Sequence, residues 1–217
     1  MLKASLWCTA AYLTGVGALL TTMRGRARRV PPVLLVAYNV LQVAVSARVA
    51  LDLHAAVDGN VWGVRGGAFD SPALRAAVRS HLWTKYLDYV DTAVIVLHGR
   101  TPSVLHLWHH ASVAPVWAWV LASWPIEGTA AYAYGAFCNS CVHALMYSYY
   151  AACALGARVP TPAKRAVTTV QIAQFVSCIV HAVDSINSSP AQHVIVELAY
   201  HGVMIRLFWP LLFAVAK

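Results

Sequence analysis

The chain has 217 residues, of which 59% are hydrophobic and only 11% are charged. Because soluble domains average about 25% charged residues, this composition excludes an ordinary soluble domain and favours a single multi-pass membrane domain over residues 1–217. The formal charge of +8 does not indicate a nucleic-acid-binding protein, since the Lys and Arg residues lie at the ends of apolar segments and form no basic stripe interleaved with aromatic residues.

Seven apolar segments are long enough to cross the hydrocarbon, which takes about 20 residues of helix. Clusters of Pro, Gly, Asn and Ser separate them, as expected of loops. The predicted spans are residues 4–22, 33–57, 76–98, 104–124, 129–155, 164–184 and 194–216. The chain is therefore predicted to be an all-α protein with seven transmembrane helices.

Basic residues in the predicted loops set the orientation of these spans. The first loop holds four Arg residues between positions 24 and 29, and the fifth holds Arg158, Lys164 and Arg165, whereas the alternate loops hold few. The positive-inside rule then predicts a non-cytosolic N-terminus and a cytosolic C-terminus.

Four polar clusters interrupt the apolar spans. They comprise Lys85, Asp88, Asp91 and Thr92 in span three, His106, His109 and His110 in span four, Asn139, His143, Tyr147 and Tyr150 in span five, and Gln171 and Gln174 in span six. A central Asp, Lys or Arg costs roughly 2.5–3.5 kcal/mol on insertion scales. Several such residues in several spans predict one shared site from which water is excluded.

Helical spacing and depth bring these clusters together. His109 lies about five residues, or ~8 Å, from the cytosolic end of its span, and Gln171 about seven residues, or ~10 Å. His143 lies about twelve residues, or ~18 Å, from the cytosolic end of span five. These faces predict a catalytic chamber that opens to the cytosol.

Three imidazoles within one helical turn favour either metal binding or acyl chemistry. Membrane di-iron desaturases and hydroxylases need several histidine boxes to supply the ligands of two irons. This chain has only one box, which counts against that class, and it is kept as the alternative. In acyl chemistry a neutral imidazole attacks a thioester, a second His acts as general acid or base, and amides or phenols donate to the oxyanion. A non-enzymatic receptor or transporter with seven helices would not require the histidine triplet.

The remaining histidines are isolated, and the five cysteines show no metal-ligand or disulfide spacing. The cysteines are interpreted as small apolar packing residues. The isolated histidines are interpreted as helix-packing or interfacial residues: His54, His81, His98, His181, His193 and His201.

The four clusters resemble, in order and spacing, the boxes of the ELO-type very-long-chain fatty acid elongases. The matching boxes read Lys-x-x-Asp-x-x-Asp-Thr at 85–92, Leu-His-x-x-His-His at 105–110, Asn-Ser-x-x-His-x-x-Met-Tyr-x-Tyr-Tyr at 139–150 and Thr-x-x-Gln-x-x-Gln-Phe at 168–175, with Tyr38-Asn39 in span two. The resemblance implies the family fold, in which six helices form a barrel around a substrate tunnel and the first packs outside.

The resemblance also implies an activity. The enzyme would lie in the endoplasmic reticulum membrane, with a lumenal N-terminus. It would condense a long-chain acyl-CoA with malonyl-CoA to a 3-oxoacyl-CoA two carbons longer, releasing CO2 and CoA through an acyl-imidazole. No metal or organic cofactor is expected, because malonyl decarboxylation supplies the carbanion. Its expected partners are the two CoA substrates, membrane lipid and the reductases and dehydratase of the elongation cycle, and a homodimer is allowed.

By the same resemblance, His109 is the predicted nucleophile and His143 its nearest partner, while His106 and His110 orient it. The residues predicted to bind substrate within the chamber are Asn139, Tyr147, Tyr150, Gln171, Gln174, Asp91 and Thr92.

The basic residues divide into two predicted roles. Lys85 lies about thirteen residues, or ~20 Å, from the cytosolic end of its span, which is too deep for a nucleotide phosphate. It is therefore predicted to pair with Asp88 and hold the helices in register. The CoA phosphates are assigned to Arg100, Lys164 and Arg165 at the cytosolic mouth, although these residues would serve equally as topology signals.

Overall fold

The computed structural model describes residues 1–63, 71–123 and 131–213, with the side chains of residues 131 and 132 left out. Eight helices and no strand occur among these residues. The helices are α1 Leu2–Thr22, α2 Pro32–Ala56, α3 Pro72–Leu87, α4 Tyr89–Leu97, α5 Val104–Ala122, α6 Ala131–Ala154, α7 Thr161–Asp184 and α8 Ala191–Phe213. The all-α prediction is confirmed.

Each predicted span coincides with one helix to within a few residues, except the third. The prediction of an unbroken helix over 76–98 is wrong at Asp88, where α3 ends and α4 begins. The Asp91 N–H donates to the Asp88 carbonyl at 3.2 Å, three residues back. This spacing is that of a 3₁₀ turn, which winds more tightly than an α-helix. Residues 124, 129–130 and 214–216 of the predicted spans lie outside the described residues.

Local sequence explains where the helices around the histidine box begin and end. The Ser103 side chain accepts a hydrogen bond from the His106 N–H at 3.1 Å, so it caps the N-terminus of α5. Gly99 ends α4 at φ +74°, and a Cβ there would come within 3.0 Å of Ala27 Cβ. The Arg28 N–H donates to the Leu97 carbonyl at 2.7 Å. The loops before α2 and after α4 therefore meet at one end of the bundle, as the predicted topology requires.

Four helices in the described part of the chain are long and apolar enough to cross a membrane: α1, α2, α7 and α8. Large apolar side chains lie exposed along them, among them Trp7, Leu34, Leu51 and Ile195. Apolar helices whose large apolar side chains are exposed at the protein surface indicate a multi-pass membrane protein. Helices α5 and α6 carry many of the polar cluster residues, which lowers their hydropathy.

The helices pack in a definite order of neighbours. Helix α2 contacts α3 and α6, α6 contacts α7, α7 contacts α8, α8 contacts α5, and α5 contacts α3. Helix α1 packs on α4 and α5, where Tyr12 stacks on Tyr89 with ring centroids 4.1 Å apart. The apolar core lies between α2, α3, α5 and α6, and it includes Leu53, Val78 and Ala118. The predicted polar clusters occupy the helices that surround this core.

Candidate active site

A buried hydrogen-bond network lies where α2, α3, α4 and α6 meet. The Tyr147 hydroxyl donates to Asp91 Oδ2 at 2.6 Å and lies 3.1 Å from Asp88 Oδ1. Gln42 Nε2 donates to Asp88 Oδ1 at 3.0 Å and to the Tyr38 hydroxyl at 2.9 Å. Tyr147 and Gln42 are fully buried. Two neighbouring carboxylates are thus held by neutral donors from two other helices.

Lys85 adds the positive charge to this network. Its Nζ lies 3.5 Å from Asp88 Oδ2, and both side chains are about 1% exposed. The same Nζ donates to Asn139 Oδ1 across to α6 at 2.7 Å. Because its oxygen is occupied by Lys85, Asn139 keeps its amide N–H groups as donors for another acceptor.

The three histidines of the α5 box make different contacts. His106 Nε2 is hydrogen-bonded to Thr92 Oγ1 at 2.8 Å, and Thr92 Oγ1 lies 2.9 Å from the Tyr12 hydroxyl of α1. The His106 ring stacks on that of His110 with centroids 4.1 Å apart. The His109 ring meets His110 edge-on at 5.3 Å. His106 and His110 therefore orient each other, and His110 also contacts His109.

His143 of α6 approaches the carboxylate network. Its Nδ1 lies 3.8 Å from Asp88 Oδ2, and its ring centroid lies 5.8 Å from that of Tyr147. A carboxylate beside one ring nitrogen orients an imidazole and leaves the other nitrogen for proton transfer. His143 is buried, so this arrangement lies away from bulk water.

A cavity of about 80 Å³ lies among α5, α6, α7 and α8. Its walls are mostly apolar and aromatic, and three predicted site residues line it: His109, Asn139 and Gln174. The hydroxyl and ionisable groups of α8 complete it: His193, Glu197, Tyr200 and His201. A narrow apolar cavity with a few polar groups suits the acyl portion of a lipid substrate.

The other predicted site residues do not line this cavity. The contacts described above involve six of them: His106, His110, His143, Tyr147, Asp91 and Thr92. Gln171 Nε2 lies 3.5 Å from Met146 Sδ. Tyr150 is 42% exposed and packs edge-on against Tyr147 at 6.0 Å. Arg100, Lys164 and Arg165 are exposed, after the end of α4 and in the first turn of α7.

Sequence reasoning missed two parts of this region. Gln42 had no motif to mark it, although it joins Asp88, Tyr38 and Tyr147. Glu197 and His201 on α8 were also missed, and here a signal existed. An acidic residue inside a membrane span is by itself a sign of function, and His201 follows one turn later. By contrast, His81 is hydrogen-bonded to Ser140 on α6 at 3.1 Å, which confirms its predicted packing role.

Comparisons with known proteins agree with the family resemblance of the polar boxes. Residues 2–215 match the model of the ELO family, described as the GNS1/SUR4 family. The chain is 34% identical to fatty acid elongase 5 of Leishmania major over 206 residues, which cover 93% of this chain and 80% of that protein. It is 35% identical to fatty acid elongase 4 of Trypanosoma brucei brucei over 174 residues, 79% of this chain and 67% of that protein. Because this match covers nearly the whole chain, the protein belongs to the ELO (GNS1/SUR4) family.

Proposed function

We propose that this protein is a fatty acid elongase that catalyses the condensing step, joining a long-chain acyl-CoA to malonyl-CoA. The products are a 3-oxoacyl-CoA two carbons longer, CO2 and free CoA. The names of its relatives support fatty acid elongation. The observation that carries the proposal is the meeting of His109, Asn139 and Gln174, from three helices, at one mostly apolar cavity.

The proposed architecture has seven spans, of which six form a barrel around a substrate tunnel and the first packs outside. The order of neighbours supports it, because α2, α6, α7, α8, α5 and α3 follow one another and return to α2. Helix α1 contacts only α4 and α5 among the described helices. The enzyme would lie in the endoplasmic reticulum membrane, with its N-terminus lumenal and its C-terminus cytosolic.

In the first half-reaction a ring nitrogen of His109 attacks the thioester carbonyl carbon. A C–N bond forms, the C–S bond breaks, and the proton from the other His109 nitrogen passes to the CoA thiolate. His143, oriented by Asp88, is the relay for that proton. The Asn139 amide group donates to the developing oxyanion. The enzyme then holds the acyl chain on His109 as an acyl-imidazole.

In the second half-reaction malonyl-CoA loses CO2, and the electron pair of the broken C–C bond attacks the acyl carbonyl. The new C–C bond forms as the C–N bond to His109 breaks, and the departing imidazole takes up one proton from water. No metal or organic cofactor takes part in either half. Gln171, Gln174 and Tyr150 position the acyl chain, while Arg100, Lys164 and Arg165 bind the CoA phosphates.

Product analysis tests the proposal. Purified protein supplied with a long-chain acyl-CoA and malonyl-CoA is expected to form the 3-oxoacyl-CoA, detected by mass spectrometry. His109→Ala should abolish this product. His98→Ala is the matched control, since the His98 ring accepts a hydrogen bond from the Val30 N–H in a loop at 3.2 Å and should leave the product in place. Product formation at the wild-type rate by His109→Ala would overturn the assignment.

A further inference from the structure

A group of metal-donor side chains lies where α7 packs on α8. Cys178 of α7 and Glu197 and His201 of α8 each offer a donor atom, and these atoms all lie within 4.8 Å of one another. Among the described residues, no other set of three or more such side chains converges this closely. Cys178 is fully buried, and the other two are partly buried.

Hydrogen bonds fix which ring nitrogens carry hydrogen in this cluster. His201 Nδ1 lies 2.9 Å from the backbone carbonyl of Glu197, and His181 Nε2 lies 2.8 Å from the carbonyl of Trp62. A carbonyl oxygen only accepts, so both of these nitrogens must be donors. In the neutral rings His201 Nε2 and His181 Nδ1 then present lone pairs.

The Glu197 carboxylate lies beside both of these imidazoles. His181 Nδ1 is buried, makes no hydrogen bond within the described residues and lies 3.8 Å from Glu197 Oε1. Acceptors that face one another inside a membrane span are costly unless a cation lies between them. A proton shared between His181 Nδ1 and Glu197 Oε1 would satisfy that pair alone. A divalent ion would be shared by the donor atoms of Cys178, Glu197 and His201, which lie within 4.8 Å of one another.

We propose that Cys178, Glu197 and His201 form a divalent metal site of the zinc type that ties α7 to α8. Mixed sulfur, nitrogen and oxygen donors suit Zn²⁺, which binds three or four such ligands. The Nδ1–H bond from His201 to a backbone carbonyl is the support that orients a metal-ligating imidazole. Binding replaces the thiol proton of Cys178, which is released to solvent. His181, whose Nδ1 lies 3.8 Å from Glu197 Oε1, is a further candidate donor.

The site has an entry path and a role apart from condensation. Glu197 and His201 also line the cavity that His109 lines, so an ion can reach them through it. No step of the proposed reaction passes through the ion. Its expected effect is on the stability of the α7–α8 pair, and the inference therefore stands or falls independently of the elongase proposal.

Metal content provides the first test. Purified full-length protein is treated with a chelator, loaded with Zn²⁺ alone and desalted, and its zinc is measured by mass spectrometry. Wild-type protein should retain one zinc per chain, and Cys178→Ser and His201→Ala should each lose it. Cys153→Ser, which changes an exposed thiol on α6, is the control and should retain it. Helical circular dichroism and a monodisperse elution profile establish that each variant is folded.

Two further readouts locate the ion. Cobalt(II) in place of zinc should give a thiolate-to-metal charge-transfer absorption that Cys178→Ser lacks and Cys153→Ser keeps. Added Zn²⁺ should raise the melting temperature of wild-type protein but not of His201→Ala. His109→Ala should still bind zinc. Absence of zinc from wild-type protein, or loss of zinc in His109→Ala with retention in Cys178→Ser, would overturn the proposal.

Discussion

Asp88 and Asp91 are two carboxylates within one turn of a membrane-buried segment, and their neighbours explain how the fold tolerates them. Lys85 supplies one positive charge at 3.5 Å from Asp88, while Gln42 and Tyr147 supply neutral donors. A buried ion pair adds little stability by itself, because desolvation offsets the attraction. Removing one partner, however, leaves a buried charge without compensation. The network is therefore best understood as a device that fixes α2, α3, α4 and α6 relative to one another.

The Lys85 side chain tests this interpretation. Lys85→Met keeps the apolar stem but removes the charge, so it is expected to cost about 3–5 kcal/mol of stability, the usual penalty for breaking a buried pair. The measurement is the melting temperature in detergent, beside the affinity for acyl-CoA of the folded fraction. Lys3→Met, an exposed lysine of α1, should change neither. A Lys85→Met protein of normal stability that had lost its affinity for CoA would instead make Lys85 a phosphate ligand.

At the level of the elements, two local features place the polar side chains. The 3₁₀ turn at Asp88 divides the third span, and both Asp88 and Asp91 lie within 3.1 Å of the one Tyr147 hydroxyl. Ser103 begins α5 three residues before His106, so the first turn that carries the box is fixed by its cap. Neither feature depends on the apolar pattern that defines the spans. The first had no clear signal in the sequence, while the second follows from a Ser just before an apolar run.

Removal of the Ser103 cap is expected to loosen the turn that carries His106. Ser103→Ala should cost about 1 kcal/mol of stability, as lost N-caps usually do, and should lower kcat because His106 and His110 position His109. Ser71→Ala is the matched control, since Ser71 caps α3 by accepting from the Leu74 N–H at 3.0 Å. Both variants should lose similar stability, measured by thermal unfolding. If Ser103→Ala and Ser71→Ala lowered kcat equally, the cap of α5 would have no particular role in positioning the histidine box.

Across the whole molecule, the sequence predicted more of the parts than of their assembly. Six of the seven spans were predicted to within a few residues because hydropathy and the breaker residues between spans report them directly. His109, Asn139 and Gln174 were predicted because their boxes resemble a family, and they meet at one cavity. Gln42 and the cluster of Cys178, Glu197 and His201 were missed, since their contacts depend on which helix faces pack together. The one-turn spacing of Glu197 and His201 was a signal within α8, but spacing along the chain carries no signal for the helix that packs against them.

The exposed basic residues after α4 and at the start of α7 lie in two separate parts of the chain, so their shared role depends on the whole molecule. Replacing Arg100, Lys164 or Arg165 by Ala should raise the KM for acyl-CoA several-fold with little change in kcat, as expected when substrate and transition state lose the same contact. The effect should diminish at high salt. Arg48→Ala removes an exposed Arg that pairs with Asp52 at 2.9 Å on α2, and it should leave KM unchanged. If none of the three substitutions altered the KM for acyl-CoA, these basic residues would serve only to set the membrane topology.

The central claim is that His109 carries the acyl chain, and intact-protein mass spectrometry tests it most directly. Wild-type protein incubated with a long-chain acyl-CoA, without malonyl-CoA, should gain the mass of one acyl group and lose it when malonyl-CoA is added. His109→Ala should gain nothing, while His98→Ala should behave as the wild type. An acyl adduct that persists in His109→Ala, or a wild-type protein that elongates acyl-CoA yet never acquires the adduct, would contradict the account.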